Sequence, residues 1–394
     1  DRRCITSGPT PGPPATAHPS TSEDNGPSPS RSTTPRWPVM RIALIAPPWL
    51  AVPPPSYGGT EAVIDQLARG LATAGHEVVL YTTGDSTCPV PKAWTYETAQ
   101  TSRIGEAVVE LRHLLFAYDR VMDADVIHDH TVLGPVLAAA RGDRRVVTTN
   151  HGPFDAELTP VYRSIAERIP VIAISHDQAR TAGDIPIARI IHHGVDPTRF
   201  PVGQGRGGYV AFLGRMAPSK GIDIAISAAK RAGIPLVIAA KMQEPVEYDY
   251  FHHVIEPMLD PDASYVGELN RADALELLGN AAALLNPIRW HEPFGMVMIE
   301  ALACGTPVIG FPHGSASEIV DHGRTGYLCR DADEIVTALH DIGTLDRGAC
   351  RRSVEERFST TRMVERHLDL YAQVAAHLCV RPDGSADPTP VRAA

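Results

Sequence analysis

The sequence predicts an α/β protein of two doubly wound, Rossmann-like parallel-sheet domains facing each other across a cleft. Three observations carry this. Short apolar runs alternate with helical patterns along most of the chain. The predicted strands, such as 41–46, are apolar throughout, as strands covered on both faces must be. The alternation also runs twice, interrupted by a stretch in which Pro197, Pro201, Gly203, Gly205, Gly207 and Gly208 fall close together. A chain of 394 residues is long enough to give each half its own core.

Residues 1–39 differ from the rest, with nine prolines among Ser, Thr and Gly and almost no large aliphatic residues. They offer too little apolar surface to offset the entropy of ordering and are read as a disordered tail. Arg2-Arg3 is followed by no apolar stretch and so is no export signal. The chain opens with Asp while Met40 directly precedes the first strand, so the functional protein is expected to start near Met40.

The first domain is expected over 40–198. After the strand 41–46 comes a Pro/Gly loop, 47–59. Thr60 is expected to cap a helix to residue 74, with Val63, Ile64, Leu67 and Leu71 on its buried stripe. Residues 77–82 form the next strand. Ile104, Val108, Leu111 and Leu115 recur at helical spacing and predict another stripe. Segments 126–128, 145–149, 170–174 and 190–192 read as the remaining strands. The second domain, 199–361, takes strands at 209–213, 236–240, 264–266, 283–286 and 307–310. Helices are expected at 220–232, 246–258, 272–279 and 333–340. A final helix, 362–379, and a loose tail, 380–394, close the chain.

Composition excludes several classes. Apolar content of 43% with 6% aromatics suits an α/β protein, and no apolar run approaches the ~20 residues of a membrane span. A net charge of −10 argues against a nucleic-acid partner. Six cysteines without a C-x-x-C pair favour free thiols in a reducing cytoplasm over a disulfide or zinc framework. Cytoplasmic localisation without stable membrane insertion is the expectation.

In doubly wound sheets ligands bind beyond the carboxyl ends of the strands, and the candidate motifs fall there. Gly214-Arg215 and Lys220-Gly221 follow the strand 209–213. A helix start is a poor place for a lysine unless an anion such as a diphosphate supplies the missing negative charge. In His291-Glu292-Pro293-Phe294-Gly295-Met296-Val297, a helix opening at Phe294-Gly295 leaves free N–H groups for that anion, and Gly295 permits close approach. Glu292 and Glu300 suit hydroxyl groups on either side. A nucleotide sugar matches this order, with Glu300 on the ribose and Glu292 on the sugar.

Gly58-Gly59 can likewise bring backbone N–H groups to a ligand. His151 lies at a strand end facing the predicted cleft, although a lone histidine is commonly a bystander. Gly314-Ser315 is open to two readings, a phosphate contact or a capping box with Glu318. Neither G-x-G-x-x-G nor G-x-x-x-x-G-K-[ST] is present, which disfavours nicotinamide enzymes and P-loop hydrolases. Asp123-Ala124-Asp125 and His128-Asp129-His130 are read as structural, because no further ligand spacing completes a metal site.

These residues together resemble glycosyltransferase family 4, the group 1 family of retaining transferases with the GT-B fold. The resemblance spans roughly 40–376. It is most specific at Glu292-Pro293-Phe294-Gly295 with Glu300-Ala301 and Gly305-Thr306-Pro307-Val308, which is similar to the family's E-x₇-E signature. Arg215 and Lys220 resemble its diphosphate-binding pair, Thr149-Asn150-His151-Gly152 its donor-side histidine, and Gly58-Gly59 its glycine loop. His193-Gly194-Val195-Asp196 resembles Asn-Gly-Val-Asp, with His replacing Asn. Gly314-Ser315 departs from a common Gly-Gly.

The resemblance implies a second domain that binds the nucleotide sugar, a first domain that binds the acceptor, and a last helix crossing back to the first domain. It implies retention of configuration, Arg215, Lys220, Glu292 and His151 as catalytic residues, no cofactor and no obligatory metal. The donor site would use Gly58, Gly59, Gly214, Phe294, Gly295, Met296, Val297 and Glu300, with the base beside the stretch from Val266 to Leu269. The donor is expected to be UDP-glucose-like, with GDP-mannose next, and the acceptor a small molecule, glycan or lipid-linked hydroxyl compound. Two alternatives stand beside this. A nucleotide-sugar epimerase would turn over donor without acceptor. A non-catalytic nucleotide-sugar-binding protein could dispense with Arg215, Lys220 or Glu292.

Overall fold

The computed structural model describes residues 37–378 apart from Tyr57. The first sheet is wholly parallel. It contains β1 (Arg41–Ile45), β2 (Glu77–Thr82), β3 (Lys92–Trp94), β4 (Val126–Asp129), β5 (Val146–Thr149), β6 (Val171–Ala173) and β7 (Ile187–Ile190), in the order β3-β2-β1-β4-β5-β6-β7. The second, also parallel, holds β8 (Val210–Arg215), β9 (Leu236–Lys241), β10 (Ala263–Gly267), β11 (Leu284–Asn286), β12 (Val308–Gly310) and β13 (Gly326–Leu328). Its order is β10-β9-β8-β11-β12-β13. In both sheets the order reverses beside the first strand, between β1 and β4 and between β8 and β11. A crevice opens at such a reversal.

Each sheet is covered on both faces. Leu44 and Leu80 pack under the helix Gly59–Thr73 through Leu67 and Leu71. The last helix, Thr360–Leu378, joins that layer with Met363, Leu368 and Tyr371, so the chain's end is built into the first sheet's core. Ile45 and Ile127 face Leu114 and Ile165 on the other side. In the second sheet Phe212 and Ile238 pack on Ile226 and Ile335, and Leu284 and Val308 on Leu302 and Phe358. Among the described residues no helix is long and apolar enough to cross a membrane. Cys88, Cys304, Cys329 and Cys350 are buried free thiols.

Several local expectations change. The helix expected from Thr60 starts one residue earlier, with Gly58 rather than Thr60 at the cap position and no side chain capping it. The expected stripe Ile104, Val108, Leu111 and Leu115 faces solvent, with Val108 76% exposed. The helix Ala107–Tyr118 instead buries Val109, Glu110, His113, Leu114, Ala117 and Tyr118. Its orientation follows from polar partners: Glu110 accepts the Val132 and Leu133 N–H groups, and His113 Nε2 bonds the Ala46 carbonyl. The helix expected over 246–258 is α-helical only at Pro245–Tyr250 and then widens into a π turn. Strands β3 and β13 and the helix Arg347–Arg357 are additional to the sequence reading. Trp37, assigned to the tail, donates from Nε1 to Asp369 at 3.1 Å. The rest of the expected tails, 1–36 and 379–394, lies outside the described residues.

Candidate active site

The crevice between the two sheets holds a cavity of about 650 Å³, with walls drawn from both halves of the chain. On the second-sheet side β8 delivers Gly214 and Arg215 to the rim, and a 3₁₀ turn, Pro218–Lys220, brings Lys220 beside them. Arg215 is held by Glu247 at 2.7 Å and Glu244 at 2.8 Å. Glu247 also accepts the Gln243 and Glu244 N–H groups, so the guanidinium is aimed by a helix start rather than by its own rotamer.

Lys220 and Glu292 are in direct contact, Nζ to Oε2 at 2.5 Å, with both side chains about one-seventh exposed. Trp290 donates from Nε1 to the same oxygen at 2.8 Å. The sequence reading separated these two residues along a ligand; the structure pairs them. A diphosphate entering the cavity therefore competes with Glu292 for the lysine.

The helix Met296–Ala303 begins at Gly295, whose φ of 77° is left-handed, and no side chain caps it. A Cβ there would lie 2.7 Å from Met298 Cε, the movable end of a flexible side chain, so it is the left-handed conformation that calls for glycine. Met298 N–H bonds the Gly295 carbonyl at 3.0 Å, whereas Met296 and Val297, the first two residues of the turn, lie on the cavity wall with no side chain capping their N–H groups. Phe294 is buried, with its ring against His193 at 5.1 Å and Phe358 at 6.1 Å. Its side chain anchors the turn and leaves only the backbone for a ligand. Glu300 pairs with Arg271 at 3.2 Å, and burial raises its pKa against the pull of that arginine.

Opposite, Gly58 and Gly59 start the helix Gly59–Thr73 at the cavity, and a Cβ on Gly59 would meet nothing within 4 Å. His151 lies on the same wall. Its Nε2 is 2.9 Å from His130 Nδ1, and its ring stacks on His193 at 5.2 Å. Burial pushes its pKa down to about 3, so it is neutral across physiological pH and acts as a hydrogen-bonding group, not a cation.

Of the stretch 266–269 expected near the base, Leu269 lines the cavity, whereas Val266 is half-exposed on the edge strand β10. Gly314-Ser315 forms no capping box, and neither residue lines the cavity. Ser315 donates from Oγ to the Phe294 carbonyl and from its N–H to the Glu292 carbonyl at 3.1 Å, bracing the Glu292 loop from behind. Glu318 turns away from Ser315. It accepts the His176 and Asp177 N–H groups and pairs with His192 Nε2, each at 2.8 Å.

The sequence reading missed Asp65, Gln66, Arg199, Arg271 and Trp290, which also line the cavity. Asp65 is buried and holds Arg69 at 2.8 Å with Arg199 at 3.8 Å. Two adjacent polar residues between Ile64 and Leu67 on a buried helix face were the available signal.

His176, His192 and Glu318 are a group that could hold a metal ion among the described residues. The hydrogen bonds to Glu318 satisfy that carboxylate without one. Asp123 and Asp125 hold Arg41 at the start of β1, and His128 is bonded at both nitrogens to Tyr371 and Thr149.

Two family models match consecutive stretches of the chain: "Glycosyltransferase Family 4" over residues 57–199 and "Glycosyl transferases group 1" over 199–348. The chain is 28% identical to a glycogen synthase of Mycobacterium tuberculosis, with 80% of this chain and 88% of that protein aligned. It is 26% identical to the alpha-maltose-1-phosphate synthase of the same organism, covering 86% and 100%. Among solved structures, AviGT4, a glycosyltransferase involved in avilamycin A biosynthesis, superposes with a TM-score of 0.64 at 25% identity, covering 86% and 98%. Sucrose-phosphate synthase from Thermosynechococcus elongatus superposes with a TM-score of 0.70 at 22% identity, covering 86% and 100%. With both halves matched and the strand-end residues gathered in one crevice, the chain belongs to the group 1, family 4 glycosyltransferases of GT-B fold, which move a sugar from a nucleoside-diphosphate-sugar donor.

Proposed function

We propose that the protein is a retaining hexosyltransferase that needs no metal ion. In this reading it uses a UDP-glucose-like donor, with GDP-mannose the nearest alternative, and a hydroxyl acceptor bound on the first-sheet side. One observation carries the reading: Arg215, Lys220 and the uncapped helix start at Gly295 converge on one cavity, bordered by Glu292 and Glu300. A diphosphate fits between the cations and the helix start, with the ribose on Glu300 and the hexose toward Glu292 and His151. The glucosyl preference is supported by relatives named for glycogen and maltose-1-phosphate synthesis. The mannosyl alternative is supported by a 25% identical phosphatidyl-myo-inositol mannosyltransferase of Mycolicibacterium smegmatis.

In the proposed step the acceptor oxygen bonds to the anomeric carbon on the face from which the diphosphate leaves. The bond from that carbon to the phosphate oxygen breaks, and the departing phosphate takes the hydroxyl proton. Charge then builds on the diphosphate, where Arg215, Lys220 and the Gly295 helix start oppose it. A neutral His151 borders the sugar and takes no part in moving a proton.

Calorimetric titration with UDP, GDP and ADP decides the nucleotide. UDP is expected to bind tightest, and preference for another base would replace the donor assignment. Glu300→Ala is expected to weaken that binding by about tenfold, the loss of one hydrogen-bonded charged group, while kcat at saturating donor falls less. The reverse pattern would mean that the roles of Glu292 and Glu300 are exchanged. Turnover is expected to survive EDTA; full loss restored by a divalent ion would transfer the assignment to a metal-dependent enzyme.

A further inference from the structure

We propose that Trp290 is a positioning residue that keeps the Glu292 carboxylate in place when the donor's diphosphate draws Lys220 away from it. This rests on the reading of Glu292 as a sugar contact and of Lys220 as a diphosphate ligand.

Trp290 and Glu292 both line the cavity, on the loop between β11 and the helix Met296–Ala303. The loop is tied down on either side of the pair. The Arg289 N–H bonds the Ser219 carbonyl at 2.8 Å and the Arg289 guanidinium meets Asp223, which fastens the loop to the turn that carries Lys220. The Glu292 carbonyl is held by the Ser315 N–H at 3.1 Å. Between these points the Glu292 N–H bonds the Trp290 carbonyl at 2.9 Å. That closes a tight turn and sets the indole against the carboxylate.

Two donors reach Glu292 Oε2, Lys220 Nζ at 2.5 Å and Trp290 Nε1 at 2.8 Å. No other group bonds this carboxylate among the described residues. The two donors differ in freedom. The ammonium is a compact cation on a flexible stem, and a diphosphate offers it more negative charge than a carboxylate does. The indole N–H can only donate, and it sits in a rigid ring on a braced backbone. When Lys220 turns to the phosphates, Oε2 keeps the indole N–H and Oε1 is left for a hydroxyl of the sugar. Without the indole, nothing described holds the carboxylate once the lysine has gone. Lys220 Nζ also lies 5.4 Å from the centroid of the Trp290 ring, so a test must separate the N–H from the ring face.

Two substitutions make that separation. Trp290→Phe keeps an aromatic face and loses the N–H. Trp290→His gives up the second ring and keeps an N–H at the matching position of its five-membered ring. With UDP-glucose as donor, Trp290→Phe is expected to lower kcat by about tenfold, the loss of one hydrogen bond to a charged group, while UDP, which carries no sugar, binds within about twofold of wild type. Trp290→His should recover most of that loss. Wild-type kcat in the Phe variant, or an equal loss in both variants, overturns the proposal. A spectral measurement needs neither donor nor acceptor, and it decides even if the Phe variant does not fold. In the full chain labelled with ¹⁵N at its indoles, the Trp290 N–H is assigned by its loss in Trp290→His. Its resonance is expected downfield, as a bond to a carboxylate places it, and should stay there in Lys220→Ala. An upfield move in Lys220→Ala means that the carboxylate leaves with the lysine, and overturns the proposal. If Glu292→Ala keeps wild-type turnover, the sugar role of Glu292 is lost, whereas the spectra judge Trp290 alone.

Discussion

Lys220→Ala is expected to lower turnover by about 10²–10³, or ~3–4 kcal/mol, because it removes a preorganised cation from the departing diphosphate. The side chain is only 14% exposed, so its charge acts in a poorly screened setting. The structure adds a complication: Lys220 also neutralises Glu292. Part of any defect could come from the uncovered carboxylate, and a double variant separates the two causes. If Lys220 acts on the leaving group, Lys220→Ala with Glu292→Gln stays as slow as Lys220→Ala alone. Recovery of most of the rate in the double variant would assign the loss to Glu292 instead. Arg215→Ala should fall by a similar factor with the fold preserved, and near-normal rates in both single variants would refute the leaving-group role. Arg215→Lys should not rescue, since a lysine lacks the planar fork that meets Glu247 and Glu244 while facing a phosphate.

Gly314→Ala is also expected to damage activity, although Gly314 lies outside the cavity wall. Gly314 sits at φ 60°, and a Cβ built on it would come within 2.4 Å of the Glu292 backbone nitrogen and oxygen. The left-handed backbone alone costs about 1–2 kcal/mol for an L-residue. The overlap must be relieved by moving backbone, and the backbone in its way carries Glu292. Both a lowered Tm and a kcat reduced at least tenfold are expected, in line with the sensitivity of catalysis to displacements of about 1 Å. A variant with reduced Tm but wild-type kcat would show that the Glu292 loop tolerates the push.

Much of the site was legible because glycines and charges at strand ends have few structural uses. Arg215, Lys220, Gly295 and Glu300 are placed near strand ends by the sequence alone, and the adjacency of β8 and β11 brings them to one cavity. The helix Ala107–Tyr118 was misread for a definable reason. It carries two apolar stripes, Val108-Leu111-Leu115 and Val109-Leu114-Ala117, and periodicity cannot rank them. Glu110 and His113 decide between them through bonds to residues 20 or more positions away. Glu318 was misread similarly, since its spacing from Ser315 fits a local capping box, yet its partners lie on the other half of the chain.

Most of the strand and helix order, the two-sheet architecture and several residues that line the cavity follow from the sequence, because alternation, breakers and strand-end glycines are local signals. The pairing of Lys220 with Glu292, the bracing of that loop by Ser315 and the contact between His130 and His151 come only from the tertiary structure. Each joins residues 20 or more positions apart across separate elements, and hydrogen-bond geometry at that range is set by how the sheets and loops pack.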